Sequence, residues 1–200
     1  MKQIFSIFWL IVFTQLVVAC KSNRTKQDFL DEFRENNYNF KLDRKIKFEG
    51  ISFAFNSSFD IHYSKDFIIK KSGIVKSFYP LNIYFSVEKF TPNDVSMPFI
   101  ASEVLRDDLL NSFHDAYVKR RFKSIDGASV TIKKALPKRW KLKGVIQTVR
   151  GNMSLNSFEY YAVASVEEKD AVFIFQWICR KEIMDYTFDD FERVLKSIQK

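Results

Sequence analysis

The chain has 200 residues and a net charge of +8, with 22 phenylalanines but only 5 glycines and 4 prolines. This length favours one domain. The abundance of aromatic residues and the scarcity of glycine and proline exclude a disordered or fibrous body, and the chain is long enough to bury a sizeable core.

Residues 1–20 have the pattern of an export signal. Lys2 is followed by an apolar run over residues 4–18, and Ala19 precedes Cys20. This order is typical of a secretion signal with a cysteine at its cleavage site. The stretch from Leu16 to Cys20 resembles the lipobox of bacterial lipoproteins, which implies that Cys20 receives a diacylglyceryl thioether and becomes the mature N-terminus.

Two alternatives are an uncleaved membrane anchor and an ordinary signal peptide. The run is shorter than the ~20 apolar residues of a spanning helix, which favours the lipoprotein. We expect a signal peptide at 1–19, a lipidated tether at 20–45 and one domain at 46–200. The protein is then exported and held at the periplasmic or cell-surface side of a membrane. The outer membrane is favoured because Lys21 is not the aspartate that retains some lipoproteins in the inner one.

The first half of the chain predicts a short helix, three strands and a long helix. An apolar cluster at 29–33 indicates a two-turn helix in the tether. Alternating apolar residues predict a hairpin of two strands that turns at 56–58, and a third strand at 81–88. Apolar residues then recur at every fourth position, which predicts an amphipathic helix from Pro98 to about Arg121.

The second half predicts a sheet and a closing helix. Strands are expected at 129–134 and 140–149, the second closed by Gly151 and Asn152. The runs 158–166 and 171–179 are apolar on both faces, as central strands covered on each side are. Thr187 is expected to cap a C-terminal helix, with two aspartates in its first turn. These elements predict an α+β fold.

The C-terminal third resembles the PsbP-like family. The resemblance is carried by Gly144-Val145-Ile146, the strand around Tyr160–Ala164, the run from Asp170 to Trp177, and Phe188-Asp189-Asp190-Phe191 followed by Leu195–Ile198. It implies an antiparallel sheet of about six to seven strands flanked by helices, within the usual range of sheet sizes. It also implies a protein that binds or assembles others and does not catalyse.

No catalytic, metal or cofactor motif is found in the sequence. The two histidines, His62 and His114, lie in no metal-ligand spacing and are expected to be surface or hydrogen-bonded residues. No nucleophile elbow or phosphate-binding loop is present. Cys179 lies in an apolar run and is expected to be a small buried side chain. We therefore expect no enzyme, no cofactor and no metal.

The positive charge is concentrated in one stretch. Between Lys119 and Lys143 stand ten basic residues against one acid, Asp126, so the rest of the chain is close to neutral. We expect a solvated strand face or a binding surface for an anionic partner. The candidate binding residues are Lys133, Lys134, Lys138, Arg139, Lys141 and Lys143.

The expected partners follow from the charge and the anchor. A lipid-anchored domain with a basic surface meets anionic envelope lipids or an acidic protein. We expect no nucleic-acid partner outside the cytoplasm, and the sequence indicates no oligomeric state. The sequence thus predicts a non-enzymatic binding or accessory protein of the bacterial envelope. The alternatives are an envelope hydrolase with an unrecognised site and a purely structural lipoprotein.

Overall fold

A computed structural model describes residues 26–36, 38–59, 73–78, 81–91, 108–122, 129–154 and 157–199. The predicted lipidation site Cys20, and His62, lie outside these ranges. The chain divides into two compact units, one ending at Tyr38 and one covering Asn39–Lys200. Within the ranges described, no helix combines the length and the apolar character that crossing a membrane requires.

The first unit contains the predicted tether helix, α1 (Lys26–Glu35). The backbone N–H of Tyr38 donates to the carbonyl of Phe33 at 3.0 Å, which closes the end of the helix. The two rings meet edge to face with centroids 5.1 Å apart. This aromatic contact stabilises the last turn of the helix. A helix this short is only marginally stable by itself.

The second unit begins with a hairpin of β1 (Arg44–Phe48) and β2 (Ile51–Phe55). Its turn is formed by Glu49 and Gly50, which have φ angles of 48° and 98°. Two successive positive φ angles suit the tight turn that joins antiparallel strands, and glycine adopts the second without strain. A turn does occur at the predicted position 56–58, where the N–H of Phe59 donates to the carbonyl of Asn56 at 3.4 Å, but it is not the turn of this hairpin. The hairpin turns at Gly50, and the predicted strand after Phe59 lies outside the described residues.

Seven strands within the described residues form the main sheet. The order is β3, β4, β9, β8, β7, β5, with β6 also paired to β7, and every pairing is antiparallel. The strands are β3 (Gly73–Phe78), β4 (Ile83–Phe90), β5 (Ser129–Val130), β6 (Lys134–Ala135), β7 (Lys143–Ser154), β8 (Ser157–Glu168) and β9 (Ala171–Arg180). The predicted α+β fold is confirmed, although β3 was not foreseen.

The central strands β8 and β9 match the prediction. β8 is buried on both faces over 161–166 and β9 over 171–179, and the turn between them is formed by Lys169 and Asp170. Neighbouring residues of a strand point to opposite faces, so Trp177 and Ile178 belong to different cores. Helix α2 (Leu109–Phe122) covers the face of Ile178, and α3 (Lys181–Lys196) covers the face of Trp177.

Helix α3 begins directly after β9, about two turns before the predicted start. Thr187 is not a cap but a buried residue inside the helix. Its hydroxyl donates to the carbonyl of Ile183 at 2.8 Å and accepts from Nε1 of Trp177 at 2.9 Å. The indole N–H is thereby satisfied within the core, which a buried tryptophan requires.

An aromatic core joins the hairpin to the sheet. The Phe55 and Phe85 rings have centroids 4.4 Å apart, and Phe59 lies 5.6 Å from Trp177. The hairpin is also tied to the C-terminus, because Ser52 pairs with Gln199 as a β-bridge. Among the described residues, this face of the sheet is covered by side chains.

Candidate functional site: a basic sheet edge

Two short strands run along the outer edge of β7. β5 pairs at Val149 and Arg150, and β6 pairs at Val145 and Ile146. Residues 131–133 between them leave the ladder, although the N–H of Thr131 still donates to the carbonyl of Thr148 at 2.9 Å. The predicted single strand at 129–134 is therefore two strands separated by a bulging segment, as edges of sheets often are.

The turn that follows β6 is not the predicted strand. A 3-10 turn covers Lys138–Trp140, and Lys141 has a φ of 57°, so β7 begins only at Lys143. Lys141 and Lys143 therefore do not share the face of one strand. At its other end β7 continues past Gly151 to Ser154, where the sequence predicted its close.

Gly144 fixes the base of this turn. The backbone N–H of Leu136 donates to the carbonyl oxygen of Gly144 at 2.8 Å. A Cβ on Gly144 would lie 2.5 Å from Cδ1 of Leu136 and 2.7 Å from the backbone oxygen of Ser165. The chain approaches too closely here for a larger residue, so the close contact of Leu136 with β7 requires glycine at this position.

The structure divides the six predicted basic residues into two groups. Lys133 binds Asp115 on α2 at 2.7 Å, and Lys143 binds Glu167 on β8 at 2.8 Å. The other four side chains are exposed and make no ion pair with any residue that the structure describes. They are Lys134, Lys138, Arg139 and Lys141. The uncompensated charge therefore lies on β6 and the following turn, and we call these four residues the basic edge.

The same edge carries exposed apolar residues. Val130 is 48% exposed and Ile132 is 84% exposed, and among the described residues these are the exposed large hydrophobic side chains. Single exposed apolar residues need no explanation. These two lie within three positions of each other and close in sequence to the exposed basic residue Lys134, so apolar and basic side chains occur together along this edge.

A buried polar network lies beneath this edge. Nδ1 of His114 is 2.8 Å from the Ser165 hydroxyl, and Nε2 is 3.1 Å from Oε1 of Gln147. The Gln147 amide in turn donates to the carbonyl of Thr131 in the bulging segment. Burial lowers the pKa of His114, so the imidazole is neutral, accepts from Ser165 and donates to Gln147. The network ties α2 to the edge.

The pair of His114 and Ser165 was not predicted, and it is not a catalytic site. Both residues are 0% exposed and both ring nitrogens are occupied, so no substrate reaches the serine hydroxyl. The signal in the sequence was Ser165 inside an apolar strand, because a buried hydroxyl needs a partner. His114 is thus a hydrogen-bonded residue, as expected.

Within the described ranges, no three histidine, cysteine or acidic residues cluster as metal ligands would.

Comparison with known proteins supports the fold. No protein family and no curated protein matches the sequence. Cyanobacterial PsbP from Synechocystis has a TM-score of 0.54 at 12% identity, covering 78% of this chain and 91% of its own. A protein of unknown function from Pseudomonas aeruginosa has a TM-score of 0.47 at 8% identity, covering 72% of this chain and 98% of its own. The predicted PsbP-like fold is confirmed by the first of these.

Proposed function

We propose that this protein is a non-enzymatic binding or accessory protein of the bacterial envelope that contacts an anionic partner through the basic edge. The observation that carries the proposal is the set of four exposed basic side chains without an ion pair among the described residues. The two other predicted basic residues are already paired with acids.

Clustered like charges favour a partner on physical grounds. Four positive groups on β6 and one short turn repel each other, and an anionic surface removes that repulsion on contact. Such a surface also speeds association, because complementary fields steer the encounter. Leu136 packs closely over Gly144, so the backbone of the turn that carries these charges starts against β7.

The envelope location rests on the lipobox at Cys20. Several acyl chains on one residue contribute about 0.8 kcal/mol for each buried CH₂, which holds a protein on a bilayer durably. The tether then keeps the domain near anionic head groups and near other envelope proteins. Both are sources of the acidic groups that the basic edge would contact.

The anchor is tested by the mass of the mature protein. We expect a chain that begins at Cys20 with a diacylglyceryl thioether, measured by intact-protein mass spectrometry of the membrane fraction. The Cys20→Ser variant is the control, and it should leave the membrane fraction. A chain that starts at Met1, or an unmodified thiol at Cys20, would contradict the anchor.

The basic edge is tested by charge reversal. The triple variant Lys138→Glu, Arg139→Glu, Lys141→Glu should lose co-purification with envelope components, because each contact with an anionic group becomes repulsive. The matched control is Lys47→Glu, Lys169→Glu, Lys181→Glu, which changes the net charge equally at exposed positions away from the edge. Equal recovery of envelope components with both variants would contradict the proposal.

A further inference from the structure

A small cavity opens beside the exposed Ile132. Its volume is about 320 Å³. The walls come from the bulging segment, from β6 and β7, and from α3. They are formed by Thr131, Ile132, Lys134, Ile146, Gln147, Thr148 and Phe188. This volume is at the lower end of the range for ligand pockets, so it suits one or two apolar side chains better than a large cofactor.

The chemistry of the walls is apolar with one positive group. Ile132, Ile146 and Phe188 supply the apolar surface, and Lys134 stands at the rim. The rest of the basic edge continues from Lys134 into the following turn, while Lys133 is already neutralised by Asp115. An occupant therefore needs an apolar group for the cavity and carboxylates for the rim.

The position at a sheet edge indicates what kind of molecule brings those groups. β5 and β6 are the last strands described on this side of the sheet. Edges of this kind accept extended polypeptide, whose alternate side chains point to opposite sides. A second copy of this chain is disfavoured, because the same edge would bring its own positive charges against the basic edge.

We propose that this cavity binds an extended acidic segment of a partner protein, with one apolar side chain inserted between Ile132 and Phe188 and its carboxylates against the basic edge. This inference rests on the proposed function, since it names the class of the anionic partner. It distinguishes a polypeptide from a lipid head group, because a head group has no need of an apolar cavity next to the charges.

The test uses a synthetic peptide of about eight residues, near the length of an ordinary strand, in which glutamate alternates with isoleucine. Binding is measured by fluorescence anisotropy at low salt. The variant Ile132→Ser should bind about tenfold more weakly, because an apolar contact is lost. The matched control Val130→Ser changes an exposed residue of the same edge that does not line the cavity, and it should bind within about twofold of the wild type.

A second peptide separates this inference from the proposed function. In it, serine replaces every isoleucine. The triple charge-reversal variant should weaken binding of both peptides, whereas Ile132→Ser should weaken only the peptide with isoleucine. Thermal unfolding of each variant checks that the fold is retained, as expected for exposed positions.

Two results would overturn the inference. If Ile132→Ser binds both peptides as the wild type does while charge reversal abolishes binding, the cavity is not a binding site and the basic edge stands. If neither peptide binds but vesicles of phosphatidylglycerol do, and charge reversal abolishes that binding, the partner is a lipid surface. Loss of binding to peptides and vesicles alike in the wild type would refute the proposed function as well.

Discussion

The centre of the main sheet is packed with buried aromatic side chains, whereas its β5–β6 edge carries exposed apolar and basic side chains. At the centre, Trp177 is fully buried beneath the Phe55 ring of the hairpin, and the N–H of the indole donates to Thr187. At the edge, Ile132 projects into solvent beside four unpaired basic groups. Burial on this scale stabilises a fold, whereas exposed apolar and charged groups contribute little to stability. The difference places the stabilising burial at the centre, and the surface for which we propose a binding role at the edge.

The largest expected effect is at the centre. Trp177→Ala should lower the free energy of unfolding by about 3–5 kcal/mol, because a fully buried ring is replaced by a cavity. The rings of Phe40, Phe59 and Phe191 lie 5.6–6.0 Å from the indole and would lose their contacts. Urea unfolding measures the loss. Such a cost is a large part of the ~5–15 kcal/mol by which domains are stable.

A tryptophan at the edge provides the matched control. Trp140 ends the basic turn and is only half-buried. Trp140→Ala should therefore cost about 1 kcal/mol, the ordinary cost of a substitution outside a core. Equal losses from Trp140→Ala and Trp177→Ala would remove the distinction between a closed centre and an open edge.

A smaller effect is expected where α2 meets the edge. His114→Gln should cost about 1–3 kcal/mol at neutral pH, because Ser165 and Gln147 lose well-formed hydrogen bonds. The substitution should also remove the part of the pH dependence of stability that His114 causes. The groups that face His114 are Ser165, Gln147, Asp115 and Lys133. Burial lowers the pKa of the imidazole and outweighs the hydrogen bond to Gln147 and the charge of Asp115, which both raise it.

The sign of the pH dependence follows from that direction. The unfolded chain takes up a proton near the ordinary histidine pKa of 6.5, whereas the folded chain resists it. The contribution of His114 to the free energy of unfolding is therefore fully present above this pH, and it decreases as the pH drops toward the lowered pKa. Unfolding measured between about pH 8 and pH 5, the range where histidine titrates, should show the fall in the wild type and not in His114→Gln. The same slope in both proteins would contradict the neutral, buried imidazole.

The parts of the fold that the sequence predicted have strong periodic patterns. β8 and β9 are long apolar runs, and the charged residues between them indicate the turn, so both strands were found with nearly correct bounds. The hairpin turn was expected at 56–58 but lies at Glu49 and Gly50, because Glu49 adopts a positive φ that is unusual for glutamate. The start of α3 was missed because Thr187 resembles a cap but is a buried hydrogen-bond partner inside the helix.

The sequence predicted which basic residues belong to the candidate site, but it did not predict how they are arranged. The charge block located the basic residues along the chain, but the pairing of Lys133 and Lys143 with acids depends on distant elements, α2 and β8. The cavity depends on Phe188, which lies more than forty residues from the charge block. No local pattern reports such contacts, because they arise from the arrangement of the sheet and its helices.

The most direct measurement is cross-linking in intact cells, followed by mass spectrometry of what is captured. It compares the wild type, the triple charge-reversal variant of the basic edge, and the triple control at Lys47, Lys169 and Lys181. Both variants should unfold within about 0.5 kcal/mol of the wild type, because all six residues are exposed. We expect a partner to be captured by the wild type and by the control but not by the basic-edge variant. Capture of the same partners by all three proteins would contradict it.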